Sequence, residues 1–479
     1  MKRNIINFLL LAVFVGFISS CTKDFEEINT DISRTADAPT SFILTNAQFQ
    51  TAEELRDNWL NGRMGLLYSQ YWSQINYTEE SRFAPRGSTT NLSWSGLYRV
   101  LYDLQDIINK NTGEKKKIFS VYGDNENQIA VAKIMQSYIY HVMTDIWGDI
   151  PYTEALTVVN ITPKYDDAKT VIYPGLIKEL QDAIALINED PEFKLEGDAI
   201  YGGDVTKWKK FAHSLICRIA FRMGDVTLTN AHLASAFSSN SDNAQFTYSE
   251  SGDSKNPVYV DFIEDGRIGK DFAVCKTLID YMNIDADPRR PFYAKPLADG
   301  SFAGLTYGLN NANGPSEYKL KRSIPSENIY ASDATVSFMN YDEVLFIKAE
   351  ITNSAADLQA AIEASCTNWG ASAAEATNYA VASIATNGVS QKSIVTEKWV
   401  ALYMQGMQGW SEYRRTGYPD FLTSPADGLY QGINIGSLIV PARLPYPSDE
   451  SQLNEVNYSA ALAKLNDPRM QSAKMFWAK

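Results

Sequence analysis

Histidine appears three times and cysteine four times in the 479 residues of this chain, and both sets are scattered. His141 and His213 fall within helical periodicity and His232 in a polar stretch. None has the H-x-x-x-H or HExxH spacing of a zinc site. Cys217, Cys275 and Cys366 lie too far apart for a metal knuckle and read as buried free thiols. No G-x-S-x-G elbow or G-x-x-x-x-G-K-S/T phosphate loop is present, which removes the best signals for that hydrolase class and for nucleotide hydrolysis. Basic residues are also short, 43 against 57 acidic ones, for a net charge of −14. Such a surface repels phosphate backbones and excludes a nucleic-acid partner. No metal and no cofactor is expected.

Long apolar runs are missing too. The stretch from Phe8 to Ile18 is far short of the roughly 20 residues that cross a bilayer. Preceded by Lys2 and Arg3, it has the order of a secretory signal, residues 1–20. Its end, Ile18, Ser19, Ser20 and then Cys21, resembles a bacterial lipoprotein signal, which implies cleavage before Cys21 and acylation of that residue. A diacylglycerol on its sulfur and an amide-linked acyl chain such as palmitate give the several tails that stable anchoring needs. Residues 21–39 are polar and read as a lipidated tether, with Asp24, Glu26 and Glu27 close behind the anchor.

Aromatics, by contrast, are plentiful: nine Trp, 27 Tyr and 21 Phe. Residues 40–479 read as one mainly α domain. Apolar positions recur at helical spacing from Ser41, over 92–112 and 129–148, and at 173–188, 207–223, 272–282, 341–351 and 357–365. A last strong helix is expected over Ile394–Tyr413, where Trp399 and Trp410, 11 apart, would share a core-facing side. Helices in pairs with short connections fit tetratricopeptide-like repeats, without a strict 34-residue period. Residues 227–270 and 285–335 lack sustained period and read as long irregular insertions.

Four segments carry a resemblance. They are Asp145-Ile146-Trp147-Gly148-Asp149-Ile150-Pro151-Tyr152; Gly203-Asp204 through Trp208 to Arg218; Tyr341-Asp342-Glu343 to Ala349-Glu350; and Lys398-Trp399 through Trp410 and Glu412-Tyr413-Arg414-Arg415-Thr416-Gly417 to Pro441-Arg443-Leu444-Pro445. Together they resemble the SusD/RagB family. His213 departs from the Asn expected there, and the loop at Tyr307-Gly308-Leu309 lacks the family's clearer Gly-Pro pattern. The resemblance implies a tetratricopeptide-like scaffold with an irregular ligand face. It also implies a position on the outer membrane facing the cell exterior, docked on a SusC-like TonB-dependent transporter. It further implies non-catalytic capture of a nutrient, a glycan by family precedent or alternatively a peptide.

Candidate ligand residues come from the aromatic-rich loops, because sugar C–H patches stack on rings while polar side chains take the hydroxyls. The first group is Trp72, Tyr77, Arg82, Phe83, Trp94 and Tyr98; the second, in the long insertion, centres on Tyr307 and Tyr318, with Asn310, Asn311 and Tyr330 beside them. A surface glycoside hydrolase needs two converging carboxylates. Asp145 and Asp149 have a suitable spacing, but their context reads as a helix end. A purely structural transporter lid would tolerate loss of every exposed loop aromatic.

Overall fold

Asp124 accepts hydrogen bonds from the amides of Glu126 and Asn127, so the helix expected from the 129–148 periodicity starts at once. It runs Asn125–Trp147 and stops where Gly148 takes φ +80°. The computed structural model describes residues 37–157, 159–465 and 471–479. The signal, Cys21 and the tether up to residue 36 lie outside the described residues.

The longer helices are Thr40–Arg56 (α1), Gly87–Thr112 (α2), Asn125–Trp147 (α3), Tyr173–Leu186 (α4), Val205–Met223 (α5), Val226–Leu233 (α6), Lys276–Ile284 (α7), Tyr341–Thr352 (α8), Ala355–Asn368 (α9), Ala373–Asn387 (α10), Gln391–Ala401 (α11), Gly406–Thr416 (α12) and Glu455–Ala463 (α13). Consecutive helices pack on one another: α2 on α3, α3 on α4, α4 on α5, α5 on α6, α8 on α9 and α9 on α10. The architecture is that of a mainly helical, tetratricopeptide-like scaffold.

Short strands tie the insertions to it. They are Trp72–Gln74 (β1), Ile150–Pro151 (β2), Tyr165–Asp166 (β3), Ala244–Thr247 (β4), Phe272–Val274 (β5) and Thr335–Met339 (β6). They pair antiparallel as β1 with β5, β2 with β3 and β4 with β6, Trp72 opposite Val274 and Phe246 opposite Val336.

Four expectations are corrected. The 394–413 span is two helices, α11 and α12, broken at Leu402–Gln405, where Met404 has φ +65°. The break lets α12 start against Gly65: a Cβ on Gly406 would lie 2.4 Å from the Gly65 carbonyl carbon, so both backbones need glycine. Trp399 and Trp410 therefore sit on different helices, yet both are core, their indole N–H groups donating to Ser69 O and Pro441 O. The segment 272–282 opens as strand β5, because its first residues pair with β1. The insertions hold α6, β4 and the start of β6. Finally, α10 was not expected, although Ser372 and Glu375 form the capping box that announces it.

The four quoted segments meet in the interior. Arg218 makes a bidentate pair with Glu343 at 2.7 and 2.6 Å. Arg222 bridges Asp145 and Glu412. Glu412 also holds Lys398 at 3.1 Å and Arg415 at 2.6 Å, and Arg415 reaches Glu350 at 2.7 Å. Burial alone would raise the Glu412 carboxyl, but Arg415, Lys398 and Arg222 hold it well below the usual carboxylate range. Arg414 donates to the carbonyls of Asp145 and Ala442, and Arg443 to that of Trp147. Asp149 lies beyond the helix end and accepts from Ala168 N, so Asp145 and Asp149 do not face a common cleft.

Cys217, Cys275 and Cys366 are free and buried, and burial pushes their thiols up to about 12, 11 and 12. His141 is buried against Tyr173, and burial pulls it down to about 3. His213 and His232 contact each other through Nδ1 atoms 2.7 Å apart.

Candidate functional site

Solvent exposure sorts the aromatic-rich loops. Trp72 has no exposed surface: it sits on β1, stacks near Phe262 and Phe272, and donates its indole N–H to Tyr403 Oη at 2.9 Å. Phe83 is wedged between Tyr68 and Tyr307, and Tyr307 is itself buried. Trp94 packs edge-on against Trp147, with Tyr98, Tyr165 and Tyr446 around it. Four of the eight candidates, Trp72, Phe83, Trp94 and Tyr307, are therefore core side chains with no ring face for a ligand. Large rings gain most by filling the space under a loop.

Tyr98 is half-buried and donates to Pro151 O. Arg82 is half-buried and donates to the carbonyls of Gly428, Asp427 and Leu429, which fixes the 427–430 loop. Tyr318 lies half-buried beside Gly269 and the small cluster of Ile75, Ala273, Leu305 and Leu309. Only Tyr77, 53% exposed, presents an open ring. Asn311 pins its loop by accepting from Thr78 N and donating to Glu79, and Asn76 donates to Lys270 O.

In the sequence, helical apolar spacing continues from α1 through Leu55, Trp59 and Leu60. The helix stops instead at Arg56, because the Asp57 carboxylate accepts from Leu60 N at 2.9 Å and starts a new turn. Trp59 is left on that turn, 47% exposed, with the Arg63 guanidinium 4.9 Å from its ring centre. A Leu60-side turn following Asp-Asn is the local signal that could have separated it from the helix.

Trp59 and Tyr77 rest on one charged lattice. Buried Arg63 lies 3.5 Å from Glu80 and 3.3 Å from Asp271. Arg86 reaches Glu80 at 2.8 Å, and Arg267 reaches Asp271 at 2.8 Å and Asp261 at 3.5 Å. Asn58, next to Trp59, donates to Asp261 at 2.7 Å. The guanidiniums of Arg86 and Arg267 stand 5.9 and 5.8 Å from the Tyr77 ring centre.

Beside Trp59 opens a groove of about 630 Å³, with Glu53, Glu54, Asp57, Asp261 and Lys255 on its walls and the hydroxyls of Ser88 and Ser93 at the start of α2. Gly96 makes room for one of those walls: a Cβ there would collide with the Glu54 carboxyl. Burial raises Glu53 and Glu54 to about 7 and pushes Asp57 well above the usual range. At neutral pH each glutamate is a mixture of acid and carboxylate, able to donate or accept a hydrogen bond. An exposed indole face beside a row of carboxyls and hydroxyls suits a polyhydroxylated ring, the apolar face on Trp59 and the hydroxyls on the acids.

A family model described as "SusD-like_2: Starch-binding associating with outer membrane" matches residues 32–447. Among solved structures, one titled a chitin-binding protein is 25% identical, with TM-score 0.76, over 91% of this chain and 100% of that one. A SusD homologue from Bacteroides uniformis is 25% identical, with TM-score 0.77, over 91% and 99%. A chitin-binding SusD homologue from Flavobacterium johnsoniae is 21% identical, with TM-score 0.75, over 91% and 98%, a likeness of fold. Among curated proteins none matches. The four motif segments, the helical scaffold and a family match across most of its length agree: the chain belongs to the SusD-like family described as starch-binding and associating with the outer membrane.

Proposed function

We propose that this protein captures a glycan without cleaving it, on the face that carries Trp59 and Tyr77, and delivers it to a SusC-like TonB-dependent transporter. The observation that carries the reading is the exposed Trp59 ring at the mouth of a carboxyl-lined groove. The chitin-binding titles of two similar structures support a glycan over a peptide. The acidic groove supports it too, since hydroxyls pair with carboxyls of either protonation state.

In this reading Cys21 carries the lipid anchor, residues 1–20 are removed, 21–39 form the tether and 40–479 the binding body, held outside the cell on the outer membrane. Among the described residues no helix is long and apolar enough to cross a membrane.

The test is calorimetric titration of the full-length protein in detergent with chito-, malto- and other oligosaccharides and with peptides, each mixture then analysed for cleavage. A glycan that binds and is recovered intact, with its heat lost in Trp59→Ala, upholds the reading. Binding of peptides alone moves the ligand class. Hydrolysis products would make Glu53 or Glu54, raised to about 7, candidates for a general acid.

A further inference from the structure

Four apolar side chains stand in solvent around the point where the helical body begins. Phe42, on the first turn of α1, is 70% exposed, Ile118 59%, Val121 56% and Phe193 44%. They come from three segments: the start of α1, the short turns Lys116–Phe119 and Ser120–Tyr122 between α2 and α3, and residues 193–197 between α4 and α5. A single exposed apolar residue is ordinary, whereas a group of them gathered on one surface marks an interaction site.

The fold ties the three segments together. Gln128 of α3 accepts from Thr40 Oγ1 and donates to the carbonyls of Phe119 and Gly123 at 2.9 and 2.7 Å. Glu196 N donates to Tyr122 O at 2.8 Å, and Thr45 Oγ1 donates to Gly197 O at 2.7 Å. A Cβ on Gly197 would lie 2.0 Å from Ser41 O and one on Gly123 2.9 Å from Leu195 Cα, so at both places glycine lets two backbones meet. The buried polar groups here are spent on joining the segments, and the apolar side chains are left outward.

Chemistry and position select the occupant. Three consecutive exposed lysines, Lys115, Lys116 and Lys117, lead into Ile118, and exposed Lys194 follows Phe193. Exposed Glu114, Glu192 and Glu196 border the same surface, so ionic attraction by itself would not hold an anion there. Apolar residues that enter a bilayer boundary, with lysine stems reaching along them to the lipid phosphates, use both parts of the patch. Along the chain, the anchor read at Cys21 joins the body at Thr40, within this patch. Once an anchor is inserted, a second and weaker surface contact becomes effectively intramolecular. We propose that Phe42, Ile118, Val121 and Phe193 seat on the surface of the bilayer, with Lys116 and Lys117 at the phosphates, and so fix which side of the body faces lipid. The choice of occupant rests on the anchor reading; the patch itself does not.

The experiment reconstitutes the full-length chain into vesicles of phosphatidylcholine and phosphatidylglycerol that contain a nitroxide-labelled lipid. A fluorescent maleimide is attached at Glu114→Cys, beside the patch, and for reference at Val381→Cys, an exposed position on α10. Cys217, Cys275 and Cys366 are buried, and the parent chain taken through the same labelling gives the background from any unacylated Cys21. The expected result is quenching by the lipid nitroxide severalfold stronger at 114 than at 381. In Phe42→Ser/Val121→Ser it should fall to the level at 381 with the thermal midpoint unchanged, because both side chains are exposed; in Lys116→Glu/Lys117→Glu it should fall by a smaller factor. Equal quenching at the two positions overturns the proposal, as does quenching at 114 that survives both pairs of substitutions. Protection of 114 from aqueous iodide without lipid quenching also overturns it, as the mark of a second copy on the patch. Flotation of the parent chain with vesicles of phosphatidylcholine alone reports the anchor separately. A chain that floats but is not quenched at 114 keeps the anchor and loses the patch; one that does not float there, yet is quenched at 114 with phosphatidylglycerol present, loses the anchor and keeps the patch.

Discussion

The interior cluster around Glu412 and the outer face around Trp59 are built from the same residue types, arginines, carboxylates and tryptophans, and do opposite jobs. Inside, Arg222, Lys398 and Arg415 surround Glu412 with almost no solvent, and the Trp477 ring centre lies 5.4 Å from the Arg222 guanidinium. Each charge there has no alternative partner in water, so each pair fixes how one helix sits on another. Outside, Arg86 and Arg267 remain about one-third exposed and flank Tyr77 without covering it, while Trp59 rests on Arg63. The same ion pair is a scaffold element where water is excluded and a positioning element where water remains.

The sharpest way to break that distinction is Glu412→Ala. It takes a shared carboxylate from three buried cations, leaving Lys398 to Glu350 at 3.9 Å, and should cost about 3–5 kcal/mol, read as a lower denaturation midpoint in urea. Trp72→Ala should also cost about 3–5 kcal/mol by leaving a core cavity, while the fraction that stays folded binds glycan as wild type does. If instead it abolishes binding with no loss of stability, the division between core and face is wrong.

Trp59→Ala should do the reverse. Glycan affinity is expected to fall about ten- to a hundredfold by titration, ~1.4–2.8 kcal/mol, with thermal stability nearly unchanged. Tyr77→Ala should weaken binding by a few-fold only, because two guanidiniums already flank its ring.

The smallest effect is on pH dependence. Glu53 and Glu54 have folded values near 7, raised from 4.5 by burial, so the folded state holds protons that the unfolded state releases. Their contribution to stability is complete below about pH 4.5 and is lost as pH rises through about 7. The Glu53→Gln/Glu54→Gln variant should therefore lose less stability than wild type between pH 4.5 and 7. Chemical denaturation across that window checks the sign.

Much of the scaffold was legible residue by residue. Gly148 marks the end of α3 in the sequence, and Arg414 and Arg415 that of α12, because capping is decided within one turn. The motif segments were legible as a family signature, but their purpose was not. Asp145, Arg222, Glu350 and Glu412 lie on four helices, and only packing brings them together. The ligand face was legible mainly as an excess of aromatics. Tyr77 remained on it, whereas Trp72 went to the core when β1 paired with β5, and Trp59 appeared on the face when Asp57 ended α1 early.

What the sequence by itself determined is therefore whatever depends on neighbours a few residues apart: helix positions, caps, the lipoprotein-like start and the motifs of the family. Tertiary structure alone decided which rings meet solvent and which charges meet each other. An aromatic side chain gains nearly as much free energy in a core as it can offer a ligand, so its place is settled only by the distant segments that pack around it.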